Sequence, residues 1–226
     1  MTTFSRLILC AIFTISLSSP SFGDQEEITN YTAARDILWK KIYPKGGSSL
    51  YCQDYARRSG NHNVEHVFAA SWMKGPAKCG SKSRSKCRKS NRRFNHMEAD
   101  LHNLFPARTL VNSQRSNFAF AIIEGSANGD CDFEFDSTNR LAEPSPAARG
   151  QVARALLYYL DEYDIKWEKT PIEDIDLIKY WHCISPVTNE EKQRNKLIES
   201  IQGTLNPYIS QPDLVDCDSL PMFPVD

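Results

Sequence analysis

Glu65 and His66 stand side by side in NVEHVFAASW, Asn63 to Trp72, a stretch that otherwise reads as a strand because Val64, Val67 and Phe68 are apolar and β-prone. A carboxylate beside an imidazole is costly to bury unless each has a partner. The pair suits phosphodiester hydrolysis. That reaction needs a base working near neutral pH, and histidine supplies one because its unperturbed pKa is about 6.5. It also needs a cation to offset charge on the phosphate and on the departing oxygen. Mg²⁺ fits that task with one or two oxygen ligands from the protein, since it keeps several waters. One geometric objection stands. Neighbours on a regular strand point to opposite faces, so a bend or bulge is needed for Glu65 and His66 to face one ion. Taken alone, such a pair is more often structural or superficial than catalytic.

The segment from Lys74 to Arg93 holds nine Lys or Arg residues and no Asp or Glu. In a chain of net charge −1 this is a concentrated patch of one sign, the footprint expected for phosphate backbones rather than an ordinary solvated loop. Its Gly and Ser content predicts a loop rather than a helix, with Cys79 and Cys87 tying it. Other readings of single residues are blander. His62 precedes His66 by four residues, a zinc spacing on a helix but not on an extended segment. Trp72, Trp167 and Trp181 are read as core, and His96 and His182 as helix-surface residues. Arg149 and Arg154, five apart on one helix, are assigned no role.

The elements that must position these groups are mostly helices. Helices are expected over residues 29–44, 91–103, 109–121, from Pro146 through ARGQVARALLYYLDEY, near 172–182, and over 189–202, the last closed by Gly203 and Pro207. Strands are expected over 63–70 and in CDFEF, with a turn at Asn128, Gly129 and Asp130. The class is α+β, mainly helical, in one domain from residue 24 to 226. Residues 1–23 have one positive charge, Arg6, an apolar run from Leu7 to Leu17, and small residues around Phe22. This is the pattern of a secretory signal cut after Gly23, a retained anchor being the rival. Cleavage removes Cys10 and leaves six of the seven cysteines. An even number in an exported chain points to disulfides. Cys79–Cys87 is the pairing the spacing favours; zinc is disfavoured because no C-x-x-C occurs.

The stretch from Val64 to Phe118 carries more than these separate signals. VEHVFAASW, the basic cysteine-bounded loop, and MEADLHNLFPARTLVNSQRSNFAF resemble the endonuclease I family of periplasmic and secreted nucleases. EPSPAARGQVARALLYYL and IQGTLNPYI match the same family in order, so the resemblance spans roughly Tyr51 to Ile209.

The resemblance implies a ββα-metal site made of the strand with Glu65 and His66, a second short strand near Leu104–Ala107, and a helix bearing Asn112. It implies that Glu65 and Asn112 bind Mg²⁺ (Mn²⁺ or Ca²⁺ being alternatives), that His66 is the general base, and that Arg84 contacts the phosphate. Glu98 of MEAD would sit near the metal and act through water, Asn103 would tie backbone near the site, and local distortion would resolve the strand geometry. The implied protein is a periplasmic or secreted endonuclease, a monomer with no membrane attachment after signal cleavage. It would cut double- and single-stranded DNA, and RNA, without sequence preference and leave 5′ phosphates. The rivals are a catalytically inactive secreted nucleic-acid-binding protein and a zinc hydrolase using His62 and His66. Three departures from the family are visible: Ala69 stands where Pro is usual, the segment from Cys52 to Glu65 is short, and YCQD replaces a YCxC pattern.

Overall fold

The computed structural model describes residues 25–58, 60–124 and 131–224. The segment read as a signal and the turn at Asn128 to Asp130 lie outside the described residues. Among the described residues eight α-helices and seven short strands follow in order. Helix α1 (Tyr31–Ile37) runs into one π turn (Leu38–Ile42), strands β1 (Gly47–Ser48), β2 (Tyr55–Ala56) and β3 (His62–His66) follow, then helices α2 (Arg84–Ser90) and α3 (Arg92–Ala99). Strand β4 (Leu104–Arg108), helix α4 (Thr109–Arg115) and strands β5 (Ala119–Phe120), β6 (Glu134–Asp136) and β7 (Leu141–Glu143) come next. Helices α5 (Pro146–Glu162), α6 (Ile175–Ile184), α7 (Asn189–Gln202) and α8 (Pro207–Ser210) complete the chain.

Local chemistry sets most of these boundaries. Helix α7 begins with a capping box, Thr188 and Glu191 satisfying each other's backbone N–H, and ends at Gly203 with φ of 83°. Helix α5 starts at Pro146, and 13 of its 17 residues are buried, which makes it the helix around which the main core packs. Phe68, Phe94, Leu156, Tyr159 and Trp181 belong to that core. A second, smaller cluster joins Leu38, Trp39, Val64, Leu101, Leu104 and Ile198 on the other side of β3 and β4.

Four expected elements end early or appear where none was expected. The basic segment contains α2, because the Ser83 side chain caps it by accepting from Lys86 N–H and the Cys79–Cys87 bridge fixes its middle. The strand expected to reach residue 70 stops at His66. Beyond it, Asn103 holds Phe68 by both backbone groups, its Oδ1 accepting at 2.6 Å and its Nδ2 donating at 3.1 Å. The helix over 91–103 breaks at Asp100, whose carboxylate caps a single turn at Leu101–Asn103 by accepting from His102 N–H. The helix over 109–121 stops at Arg115, because Ser116 takes φ of 53° and frees Ala119–Phe120 to pair with β7.

The six cysteines form three bridges, Cys52–Cys131, Cys79–Cys87 and Cys183–Cys217. Strands β3 and β4 are antiparallel in unbroken register from His62–Arg108 to His66–Leu104, and α4 packs against both. The ββα arrangement is therefore present, without a bulge at Glu65 or His66.

Candidate active site

The end of β3, the middle of α4, the start of α2 and the start of α1 enclose a cavity of about 610 Å³. Glu65, His66, Arg84 and Asn112 all line it. The unbroken strand register does not separate Glu65 from His66, because the cavity wraps the strand's end and reaches both. Glu98 does not line it; its carboxylate is wholly buried behind Arg84 and Arg88.

Each of these side chains has a partner that fixes it. The Glu65 carboxylate is 3 % exposed; its Oε1 accepts from the Tyr51 hydroxyl at 2.6 Å and lies 3.3 Å from an Arg115 nitrogen. Burial pushes its pKa up, opposed by the Arg115 charge and the Tyr51 hydrogen bond. His66 places Nε2 3.0 Å from the Glu98 carbonyl oxygen. A carbonyl only accepts, so the ring proton sits on Nε2 and Nδ1 keeps its lone pair. Burial, reinforced by Arg84, holds the His66 pKa down to about 3, so the imidazole is neutral throughout the physiological range.

Asn112 donates its amide N–H groups to Asn63 Oδ1 at 2.8 Å and to the Val64 carbonyl at 3.4 Å. Both donors are thus turned to β3, and the amide oxygen is left to accept. A buried carboxylate whose charge is disfavoured, lining one cavity with an amide side chain, is the kind of donor set that suits a hard divalent cation that keeps most of its water. It is a poor zinc set. Among the described residues no three His, Cys, Asp or Glu side chains cluster to hold a metal, and His62 engages Asp54 at 3.0 Å.

The cation lining is also set by fold rather than by the basic segment alone. Arg84 comes from that segment, but Arg35, Arg58 and Arg115 line the same cavity from elsewhere. Arg84 gives its Nε–H to Glu98, which leaves its Nη groups as donors. Arg88 donates to both oxygens of the same carboxylate. Both guanidinium groups rest over the ring of Tyr31, at 5.5 and 5.2 Å, and that ring lies 4.9 Å from the His66 imidazole.

Sequence reasoning missed Tyr31, Tyr51, Arg88 and Arg115. Tyr31 and Tyr51 carry no local signal, since each meets its partner only through the fold. Arg115 had one, the RSN run shared with the resemblance, but no reason to be buried. It is 1 % exposed and donates to the carbonyls of His66 and Val67, pinning the end of α4 to the end of β3. His96 and His182, expected on helix surfaces, are buried, and His182 donates to the Pro212 carbonyl at 3.0 Å. Trp72 and Trp181 are core as expected, while Trp167 is only partly buried. Arg149 and Arg154 are buried in ion pairs with Glu143 and Glu191, and their role is structural.

The family described as Endonuclease I matches the chain over residues 22–213. The chain belongs to the endonuclease I family. Endonuclease-1 of Buchnera aphidicola subsp. Acyrthosiphon pisum (strain APS) is 35 % identical over 182 residues, covering 76 % of this chain and 70 % of that protein. An extracellular deoxyribonuclease of Aeromonas hydrophila is 30 % identical over 232 residues, covering 91 % of this chain and 98 % of the relative. A periplasmic deoxyribonuclease of the same organism is 34 % identical over 177 residues, covering 76 % and 73 %. Membership makes the chain a nuclease. The family's periplasmic and extracellular members, together with three bridges in the fold, place it in the periplasm or outside the cell. Among the described residues no helix is long and apolar enough to cross a membrane.

Proposed function

We propose that the chain is a divalent-metal-dependent endonuclease that hydrolyses phosphodiester bonds of DNA, and of RNA, without sequence preference, leaving 5′ phosphates. The observation that carries this reading is the convergence of Glu65, His66, Asn112 and Arg84 on one cavity.

Glu65 and the Asn112 amide oxygen would hold the cation, Mg²⁺ or else Mn²⁺ or Ca²⁺, which supplies positive charge against the phosphate and the departing oxygen. His66 Nδ1 takes a proton from the attacking water. The Glu98 carbonyl holds the opposite nitrogen protonated and thereby fixes the tautomer. Arg84 donates from its Nη groups to a phosphate oxygen while Glu98 holds its Nε. Water oxygen joins phosphorus, the bond from phosphorus to the 3′ oxygen breaks, and that oxygen takes a proton from solvent water. The groups named act on phosphate, and phosphate contacts position a strand without reading its bases. Weak sequence preference and activity on both single and double strands follow.

The test is nicking of a supercoiled plasmid by the purified protein with Mg²⁺, with EDTA, and with His66→Ala. Loss of a general base costs roughly 10²–10⁴-fold in rate. Cleavage by His66→Ala at the parent's rate would refute the assignment of the base. Retention of DNA without cleavage at any metal concentration would favour a binding protein instead.

A further inference from the structure

The active-site cavity adjoins another at His62. His62 and Ser113 also line a second cavity of about 830 Å³, whose remaining wall includes Tyr55, Arg57, Arg108 and Leu110. The two cavities therefore adjoin at His62 and Ser113.

The second cavity combines an aromatic ring with net positive charge. Tyr55 is 58 % exposed, and the Arg57 guanidinium lies 5.3 Å from its ring centre. Among the described residues Arg57 makes no ion pair. The carboxylate in the wall, Asp54, is engaged by Arg108 at 3.1 Å and by His62. The platform is also rigid. Tyr55 pairs with Ser48 between β1 and β2, and its hydroxyl donates to the Lys45 carbonyl. Gly46, at φ of 90°, lies so close beneath the ring that an added Cβ would come within 2.7 Å of Tyr55 Cζ. A held ring bearing a guanidinium gives a base something to stack on without first ordering a side chain.

We propose that this second cavity is a nucleotide subsite. The base of a nucleotide beyond the scissile phosphate stacks on the Tyr55–Arg57 pair, so the enzyme favours substrates long enough to reach it. The inference rests on the nuclease reading above.

The experiment compares kcat/KM on a thymidine dinucleotide and on an oligothymidylate of about twelve nucleotides, within the span such grooves cover. The parent should prefer the longer substrate. Tyr55→Ala and Arg57→Ala should each cut that preference roughly tenfold, the share carried by one stacked base, and chiefly through KM. Tyr55→Phe, which keeps the ring but loses the bond to Lys45, should keep more of the preference than Tyr55→Ala. Lys192→Ala, which removes a positive charge outside both cavities, should keep the parent's preference. Because the readout is a ratio, a variant that merely folds poorly loses both rates together and leaves the ratio unchanged. An unchanged ratio in Arg57→Ala, or a parent that cuts plasmid without any length preference, overturns the subsite. A parent that cuts no DNA at all brings down the nuclease reading and the subsite with it.

Discussion

Glu98 is the residue whose place departs furthest from what the sequence suggests. It was expected to act on the metal through water, yet its carboxylate faces Arg84 and Arg88, and its backbone carbonyl faces His66. A buried carboxylate with two guanidinium groups on it works as a clamp, since Glu98 itself would be left as an uncompensated buried charge if both were lost. On the proposed mechanism Glu98 acts through Arg84, and that predicts a coupling. Glu98→Gln and Arg84→Ala should each lower kcat roughly hundredfold, the scale of a misplaced group at a reacting centre. The double variant should be no slower than the slower single, because both changes remove the same interaction. Losses that multiply in the double variant would mean that Glu98 acts independently of Arg84. Glu65, His66, Arg84 and Asn112, which converge on one cavity, were legible because they lie in a long contiguous pattern. Their supports were not: Tyr31, 35 positions before His66 in the chain, reaches it only by tertiary packing.

Helix α2 shows how far element boundaries can be read from composition. Its sequence, RSKCRKS, sits in a segment whose Gly and Ser content argues for a loop, and it has no apolar stripe beyond Cys87. What makes it a helix is a cap at Ser83 and a covalent tie from Cys87 to Cys79. Helix α7, by contrast, begins and ends where it was expected to, because its capping box and Gly203 are local. The strand from β3 ended early for a non-local reason, the Asn103 side chain taking both backbone groups of Phe68. The bridge under α2 bears on the proposed phosphate contact, since Arg84 and Arg88 both stand on that helix. Closing the eight-residue separation between Cys79 and Cys87 restricts the unfolded chain by about 2.5 kcal/mol on the loop-entropy account. Replacing both cysteines with Ser should lower stability by about that much in urea titrations. It should also slow plasmid cleavage roughly tenfold, as Arg84 loses its fixed position. A variant that cuts as fast as the oxidised parent would show that the bridge has no part in holding the phosphate contact.

At the scale of the whole molecule, the α+β class and the order of the helices were legible, but the buried polar framework behind the site was not. Asp100 accepts from the hydroxyls of Tyr158 at 3.1 Å and Tyr163 at 2.9 Å and from Gln202 at 2.9 Å, joining α5 and α7 behind α3. No periodic pattern announces such a node, since each member looks like an ordinary polar residue in its own helix. His102 belongs to the same framework. It is 1 % exposed, donates from Nε2 to the Thr204 carbonyl at 3.0 Å, and packs its ring 4.5 Å from Tyr158. Burial holds its pKa down to about 3, against 6.5 in the unfolded chain. The sign follows from linkage. Below 6.5 the unfolded state binds a proton that the folded state refuses until about 3, so this group's stabilising contribution is complete above 6.5 and drains away as the pH falls between those values. The limiting slope for one proton is about 1.4 kcal/mol per pH unit. Other groups titrate in the same window, so the measurement is a difference: unfolding free energies of the parent and of His102→Gln, taken from neutrality down into the acid range. The parent's advantage should shrink on acidification with a slope approaching that value. A difference that stays flat with pH would mean that the imidazole is not held neutral, and that the node tolerates a charge at its centre.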